Sequence, residues 1–348
     1  MYKEAILNSI KFLPLKILFR PFYSGKGSIL FMHKVIEKSS NKNRINLMRA
    51  NEIELAFLES MIVHLKKRYD IISLDECYSR LKSQQLYKKN FIVITFDDGY
   101  KDNLTLAYPI FKKHQVPFTI YITNSFPNYT AKLWWFMLEE ILLENKEIRF
   151  TINNNRQKFK SRTKKEKDNS FVAIRKILID ASEVDLKQIL NQLEVNYNKN
   201  LISYVKKEAL NWEEIKELSN DPLVTIGCHT INHLTLKLLS EAEIIEEIIK
   251  SKEELEIKTG VKVNHFAYPY GTSNEIGERE INVLNKLNIF KTSTTTRTGN
   301  IFNKHKEFKN ALPRIQVLGT QQEISILDMY LSGFLPAFKN NFKRITTL

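Results

Sequence analysis

Cysteine is nearly missing from this 348-residue chain: only Cys77 and Cys228 occur, far apart. No disulfide framework is implied, and a reducing compartment is expected. Also missing is an unbroken apolar run long enough for a membrane span or for the core of a signal peptide. The opening segment AILNSIKFLPLKILFRPF breaks its apolar positions with Lys11, Lys16 and Arg20, and Pro14 interrupts any helix there. Two short amphipathic turns are expected, lying on an anionic leaflet or packing on the body of the protein. The expected location is cytoplasmic, or peripheral on the inner face of the membrane. No internal repeat is visible, and no Arg-rich or aromatic-interleaved stripe accompanies the net charge of +14, so nucleic acid is not an expected partner. That charge suits an anionic membrane surface, a phosphorylated carrier or an acidic glycan, unless the lysines merely solvate the surface.

What is present is a rhythm of strand and helix. GSILFMHKV (Gly27–Val35), FIVITF (Phe91–Phe96), FTIYIT (Phe118–Thr123) and LVTIGCHT (Leu223–Thr230) read as buried strands, and HFAYPYG, IFKTSTTT and LPRIQVL complete the set. Helical spacing lies between them. Ile53, Phe57, Met61 and Leu65 recur on one face, with Asn51 as N-cap and Glu54 three residues on. Asn211 with Glu214, and Ser240 with Glu243, occupy capping-box positions, and Gly260 stops the second of these helices. This order argues for parallel strands with helices outside.

From about residue 126 to 210 the pattern turns helical, with no strong strand and a polar, basic stretch NNNRQKFKSRTKKEKDNS. The chain therefore divides into an amphipathic N-terminal segment (1–26), a first barrel part (27–125), a mostly helical insertion (126–210), a second barrel part (211–320) and a C-terminal tail (321–348). Trp134 and Trp135 in the insertion are placed either to stack on a sugar or to bury the insertion against the barrel.

In parallel α/β barrels the loops at the carboxyl ends of strands carry reactive groups. Asp97-Asp98, His229 and Tyr268-Pro269-Tyr270 stand at such ends, with His33 close to another. HTINH sets His229 and His233 four apart, so that on a helical turn both imidazoles can face one divalent metal. One carboxylate completes a set of two His and one Asp. The other is then free for general-base work.

Taken together, TFDDG (Thr95–Gly99), HTINH (His229–His233) and FAYPYG (Phe266–Gly271) resemble the polysaccharide deacetylase family, carbohydrate esterase family 4 with its NodB homology domain. The resemblance implies a distorted (β/α)7 barrel and a divalent metal, usually Zn2+. It matches Asp97 to the general base, Asp98, His229 and His233 to the metal ligands, and Tyr270 to the residue whose backbone N–H helps form an oxyanion hole. Two departures stand out. The family's arginine positions in the third motif are Asn264 and Ala267 here, and its late acid-histidine motif is absent. ILFMHKV resembles that late motif moved to the N-terminus, the pattern of a circularly permuted subgroup linked to surface polysaccharides. On that pattern His33 is the general acid, and Arg314 in LPRI replaces the lost charge beside the base. The implied reaction is hydrolysis of N-acetyl groups on amino sugars. A deformylase or deacetylase of a lipid-linked sugar at the membrane, and a non-catalytic glycan-binding barrel, stand as the rival readings.

Overall fold

Seven strands run parallel and close on themselves in the computed structural model, which describes residues 15–38, 44–83, 85 and 87–347. They are β1 (Gly27–Met32), β2 (Phe91–Phe96), β3 (Phe118–Ile122), β4 (Val224–Cys228), β5 (His265–Ala267), β6 (Thr292–Thr298) and β7 (Leu312–Gln316). Each pairs with the next in chain order, and β1 pairs with both β2 and β7, which closes the ring. The expected distorted (β/α)7 barrel is therefore present. Its distortion is local: β4 and β5 share a single register pair, Cys228 with Phe266, and the β6–β7 register shifts between Thr294 and Thr298.

Strands buried on both faces need continuous apolar sequence, and β1, β2 and β3 are buried at every position. Side chains alternate across them. Leu30, Met32, Ile92, Ile94 and Phe96 belong to the layer under the outer helices, whereas Ile29, Phe91, Val93, Tyr121 and Leu312 fill the barrel interior. The helix Leu74–Lys82, capped by Ser73, closes the lower mouth with Leu74, Cys77 and Leu81. Cys77 and Cys228 are both buried and unpaired. Because β1 and β2 stay in register from Gly27↔Phe91 to Met32↔Phe96, the residues that follow them, His33 and Asp97, leave the barrel side by side.

The capping boxes at Asn211 and Ser240 form, and Gly260 ends its helix at φ 78°. Asn51 is not the N-cap of the helix that follows it. Glu52–Glu54 instead pairs as a short strand with Lys34–Ile36, and the helix starts at Leu55. The Asn51 side chain accepts from Gln316 Nε2 at 3.0 Å, so it is taken by β7.

Between β3 and β4 stand the helices Trp134–Glu144, Lys164–Asp180, Glu183–Tyr197 and Leu201–Glu208, with a core of their own around Leu138, Ile141, Phe171, Ile174 and Leu190. An antiparallel hairpin, Glu147–Ile152 with Asn155–Lys160, was not foreseen there. Its second strand is largely exposed, so charges swamp the alternation that brings Phe159 onto Phe150. The signal lay in the turn: Asn153 and Asn154 both take positive φ, as the hairpin turn requires. Arg44 anchors this unit to the barrel, with Glu139 Oε2 at 2.7 Å and Glu52 Oε2 at 2.5 Å.

At the lower end, helix Leu15–Tyr23 rests on the helix Phe334–Lys339 through Phe19, whose ring meets Phe334 at 5.1 Å and Phe338 at 5.7 Å. The first of the two expected amphipathic turns, with Pro14, lies outside the described residues. Among the described residues no helix is long and apolar enough to cross a membrane.

Candidate active site

The interior face of β2 reads Phe91, Val93, Thr95 and then Asp97, because alternate residues share a face. The same rule puts His33 after Ile29 and Phe31 on β1, and Arg314 after Leu312 on β7. Three strands thus aim a carboxylate, an imidazole and a guanidinium at the same upper interior. Arg314, fully buried, grips Asp97 with both arms: Nη1 to Oδ1 at 2.6 Å and Nη2 to Oδ2 at 2.7 Å. Its Nε donates to the Thr295 carbonyl at 3.0 Å and its plane lies over Phe31 at 4.4 Å, so the guanidinium is fixed on every side. Burial pushes the Asp97 carboxyl up, but the Arg314 charge outweighs it and holds the group below the usual carboxylate range.

Asp98 would face outward if β2 continued. It takes φ 80° instead, and its carboxylate turns toward His229 and His233. Asp98 Oδ1 lies 3.5 Å from His229 Nε2 and 3.4 Å from His233 Nε2. That oxygen is buried and has no hydrogen-bond partner. An orphaned buried carboxylate oxygen is costly, and the spacing suggests what relieves it. Tetrahedral zinc with bonds of about 2.0–2.2 Å separates its ligand atoms by about 3.4 Å. His229 Nδ1 donates to the Ala267 carbonyl at 2.7 Å, which leaves the Nε2 lone pair facing the centre. Burial lowers the His233 pKa to about 4, so this imidazole is neutral and able to ligate. The donor set fits a zinc-like cation.

HTINH does not sit on a helical turn. Thr230 and His233 take φ 67° and 55°, and this doubled left-handed backbone folds the two imidazoles together. Glu247, on helix Glu241–Thr259, holds the bend by accepting from the N–H groups of Ile231 and Asn232, each at 3.0 Å, and from Asn232 Nδ2 at 2.6 Å. Nothing in the sequence marked Glu247 out from its neighbouring helical glutamates. Tyr270 is a further left-handed residue at φ 59°. Its ring lies 4.7 Å from that of His233, and its backbone N–H has no acceptor among the described residues. Left-handed non-glycine residues cost about 1–3 kcal/mol each, and their gathering at one rim marks a constrained site.

His33 lines the same cavity, with Nδ1 buried and unpartnered and its carbonyl accepting from Asn103 Nδ2 at 2.9 Å. Beside it Lys34 pairs with Glu208 and, at 3.2 Å, with Asp102, its ammonium over the Tyr100 and Phe136 rings. Sequence reading passed over this cluster because its three charges come from three separate segments. Both tryptophans line the cavity: Trp134 is buried in the insertion core, and Trp135 is partly buried against it and donates from Nε1 to the Tyr100 hydroxyl at 3.1 Å. The cavity holds about 260 Å³, below the roughly 300–1,000 Å³ of drug-sized sites, which suits one sugar ring. A neighbouring cavity of about 860 Å³ shares Trp134, Trp135, His233 and Tyr270 with it and continues the cleft along helix Glu241–Thr259.

The family described as Polysaccharide deacetylase matches residues 85–147 and 179–289, half of the chain. No curated protein is similar enough in sequence to count as a relative. Among solved structures, the Streptococcus pyogenes deacetylase PplD superposes with TM-score 0.55 at 17% identity, over 86% of this chain and 96% of its own. IcaB from Ammonifex degensii gives 0.53 at 15% identity, over 88% and 97%. A polysaccharide deacetylase from Bacillus cereus gives 0.53 at 18% identity, over 87% and 68%. At these identities the likeness speaks for the fold, the closed parallel barrel already described.

Two outcomes follow from the site's construction. Arg314→Met strands a buried carboxylate and is expected to lower stability by about 3–5 kcal/mol in denaturant unfolding. Glu247→Ala frees the HTINH bend and is expected to weaken zinc binding by about 10–100-fold in a chelator competition, with an unchanged circular dichroism spectrum.

Proposed function

The chain belongs to the polysaccharide deacetylase family, and from that premise we propose that it removes N-acetyl groups from amino sugars of a surface polysaccharide or its precursor, with Zn2+ held by Asp98, His229 and His233. The observation that carries this reading is one cavity containing the Asp98–His229–His233 set, the Arg314-bound Asp97 and an unpartnered His33. A cation held there supplies positive charge that polarises an amide carbonyl and acidifies a water molecule.

The chain's own groups supply the rest. Asp97 is the general base. A carboxylate offers about four lone-pair positions, so the grip of Arg314 on both oxygens leaves others open to take the proton of the attacking water. The free Tyr270 N–H donates to the oxyanion that develops on the acetyl carbonyl oxygen. His33 gives a proton to the departing amine, and acetate and the free amino sugar leave. Trp135 offers a face for the sugar, and the adjoining cleft takes further residues of the glycan. We read the chain as a circularly permuted member of the family: the strand bearing His33 comes first in sequence yet adjoins both β2 and β7.

A specific observation favours peripheral membrane contact as well. At the lower end Ile17, Leu18 and Phe22 are 67%, 64% and 59% exposed, beside a cleft of about 610 Å³ lined by Lys16, Arg20, Arg68, Lys88 and Lys89. Apolar side chains flanked by cations complement an anionic cytoplasmic leaflet. The catalytic mouth opens at the other end of the strands, so the favoured substrate is a glycan standing off the bilayer rather than a sugar on its lipid.

Asp97→Asn is expected to keep near-stoichiometric zinc while acetate release from N-acetylated oligosaccharides drops about 10²–10⁴-fold. Full activity in that variant removes Asp97 from the role of base. Substituting Ile17, Leu18 and Phe22 together by Asn is expected to abolish co-flotation with phosphatidylglycerol vesicles. Flotation that survives the triple change places the membrane contact elsewhere.

A further inference from the structure

Arg175 reaches the catalytic cavity from outside the barrel. It belongs to helix Lys164–Asp180, inside the stretch 148–178 that the family match leaves out. Phe171 and Arg175 stand one turn apart on that helix, and both line the cavity. The guanidinium carbon lies 5.8 Å from the centre of the Tyr270 ring, whose other neighbour is His233. One aromatic ring thus separates Arg175 from the metal-ligand set.

The other fixed charges around the cavity have partners. Glu52 is paired with Arg44, Asp97 with Arg314, and Lys34 with Asp102 and Glu208. Asp98 faces the two imidazoles. Arg175 makes no hydrogen bond or ion pair with the described residues. Arginine remains charged at any working pH and carries five N–H donors in a planar fork that matches a carboxylate or a phosphate. Half-buried, it has lost part of its hydration and gained no protein oxygen in return.

We infer, building on the deacetylase reading above, that Arg175 binds an oxyanion carried by the glycan beside the N-acetylated sugar, either a uronic-acid carboxylate or a phosphate ester. The insertion thereby selects an acidic glycan, and the barrel performs the hydrolysis.

The test uses matched N-acetylated oligosaccharides that differ at one neighbouring position: glucuronate against glucose, and phosphorylated against unphosphorylated. For the zinc-loaded wild type, one acidic member is expected to exceed its neutral twin in kcat/KM by roughly tenfold or more, as hydrogen bonds to charged groups allow. Which pair shows the preference identifies the oxyanion. Arg175→Gln is expected to erase that ratio through KM, and Arg175→Lys to keep part of it. Equal treatment of both pairs by the wild type overturns the inference. So does a loss in Arg175→Gln that is the same for acidic and neutral substrates, since Arg175 then only holds Tyr270 in place. Calorimetric binding of the same oligosaccharides to Asp97→Asn, with and without Arg175→Gln, reads the preference without turnover. If no acetate is released from any of them, the deacetylase reading fails, and the binding ratio still decides the role of Arg175.

Discussion

The two-armed contact between Arg314 and Asp97 is the constraint around which the barrel is arranged. Two adjacent carboxylates at the end of a buried strand repel each other, and neither is easily desolvated. The fold resolves this by giving each its own positive partner. Asp97 points inward to a guanidinium, and Asp98 is turned aside to two imidazoles and the cation they fit. A buried ion pair is weak evidence of added stability, but it fixes geometry well. Arg314 also touches the Thr295 carbonyl, Thr95 and the Phe31 ring, so β1, β2, β6 and β7 are all tied to one side chain.

Rigid strands and strained turns divide the remaining work. The strands set the height at which His33, Asp97 and Arg314 emerge. The left-handed residues Asp98, Thr230, His233 and Tyr270 then bend the chain where a regular strand or helix would carry each group past its target. Such backbone persists only when over-determined by its surroundings. Glu247 supplies that for the HTINH bend with three hydrogen bonds, and Thr296 does so for the Tyr270 turn, its hydroxyl donating to the Tyr270 carbonyl at 2.6 Å. The rim of the cavity is thus a loop structure held with the precision of the barrel.

The insertion narrows what that rim can receive. Held on by Arg44 and by the Lys34 cluster, it brings Trp135, Phe171 and Arg175 over a mouth that the barrel by itself would leave open. The lower end has an unrelated character, with exposed apolar side chains among cations.

Short-range pattern carried much of this protein. Continuous apolar runs marked the strands, Asn211 and Ser240 marked two helix starts, and three brief motifs brought Asp97, Asp98, His229, His233 and Tyr270 to strand ends. These features are readable because period, capping and turn chemistry act over a few residues. Other features were closed to that kind of reading. Asn51 gives up a cap for Gln316, and Lys34 meets Asp102 and Glu208 from two other segments of the chain. In each, the deciding partner is distant in sequence, and nothing local records who it will be. The sequence by itself determined the barrel and the reactive groups. Only the closing of the sheet, and the packing of the insertion over it, decided which charges around the cavity meet, and that Arg175 there pairs with none of the described residues.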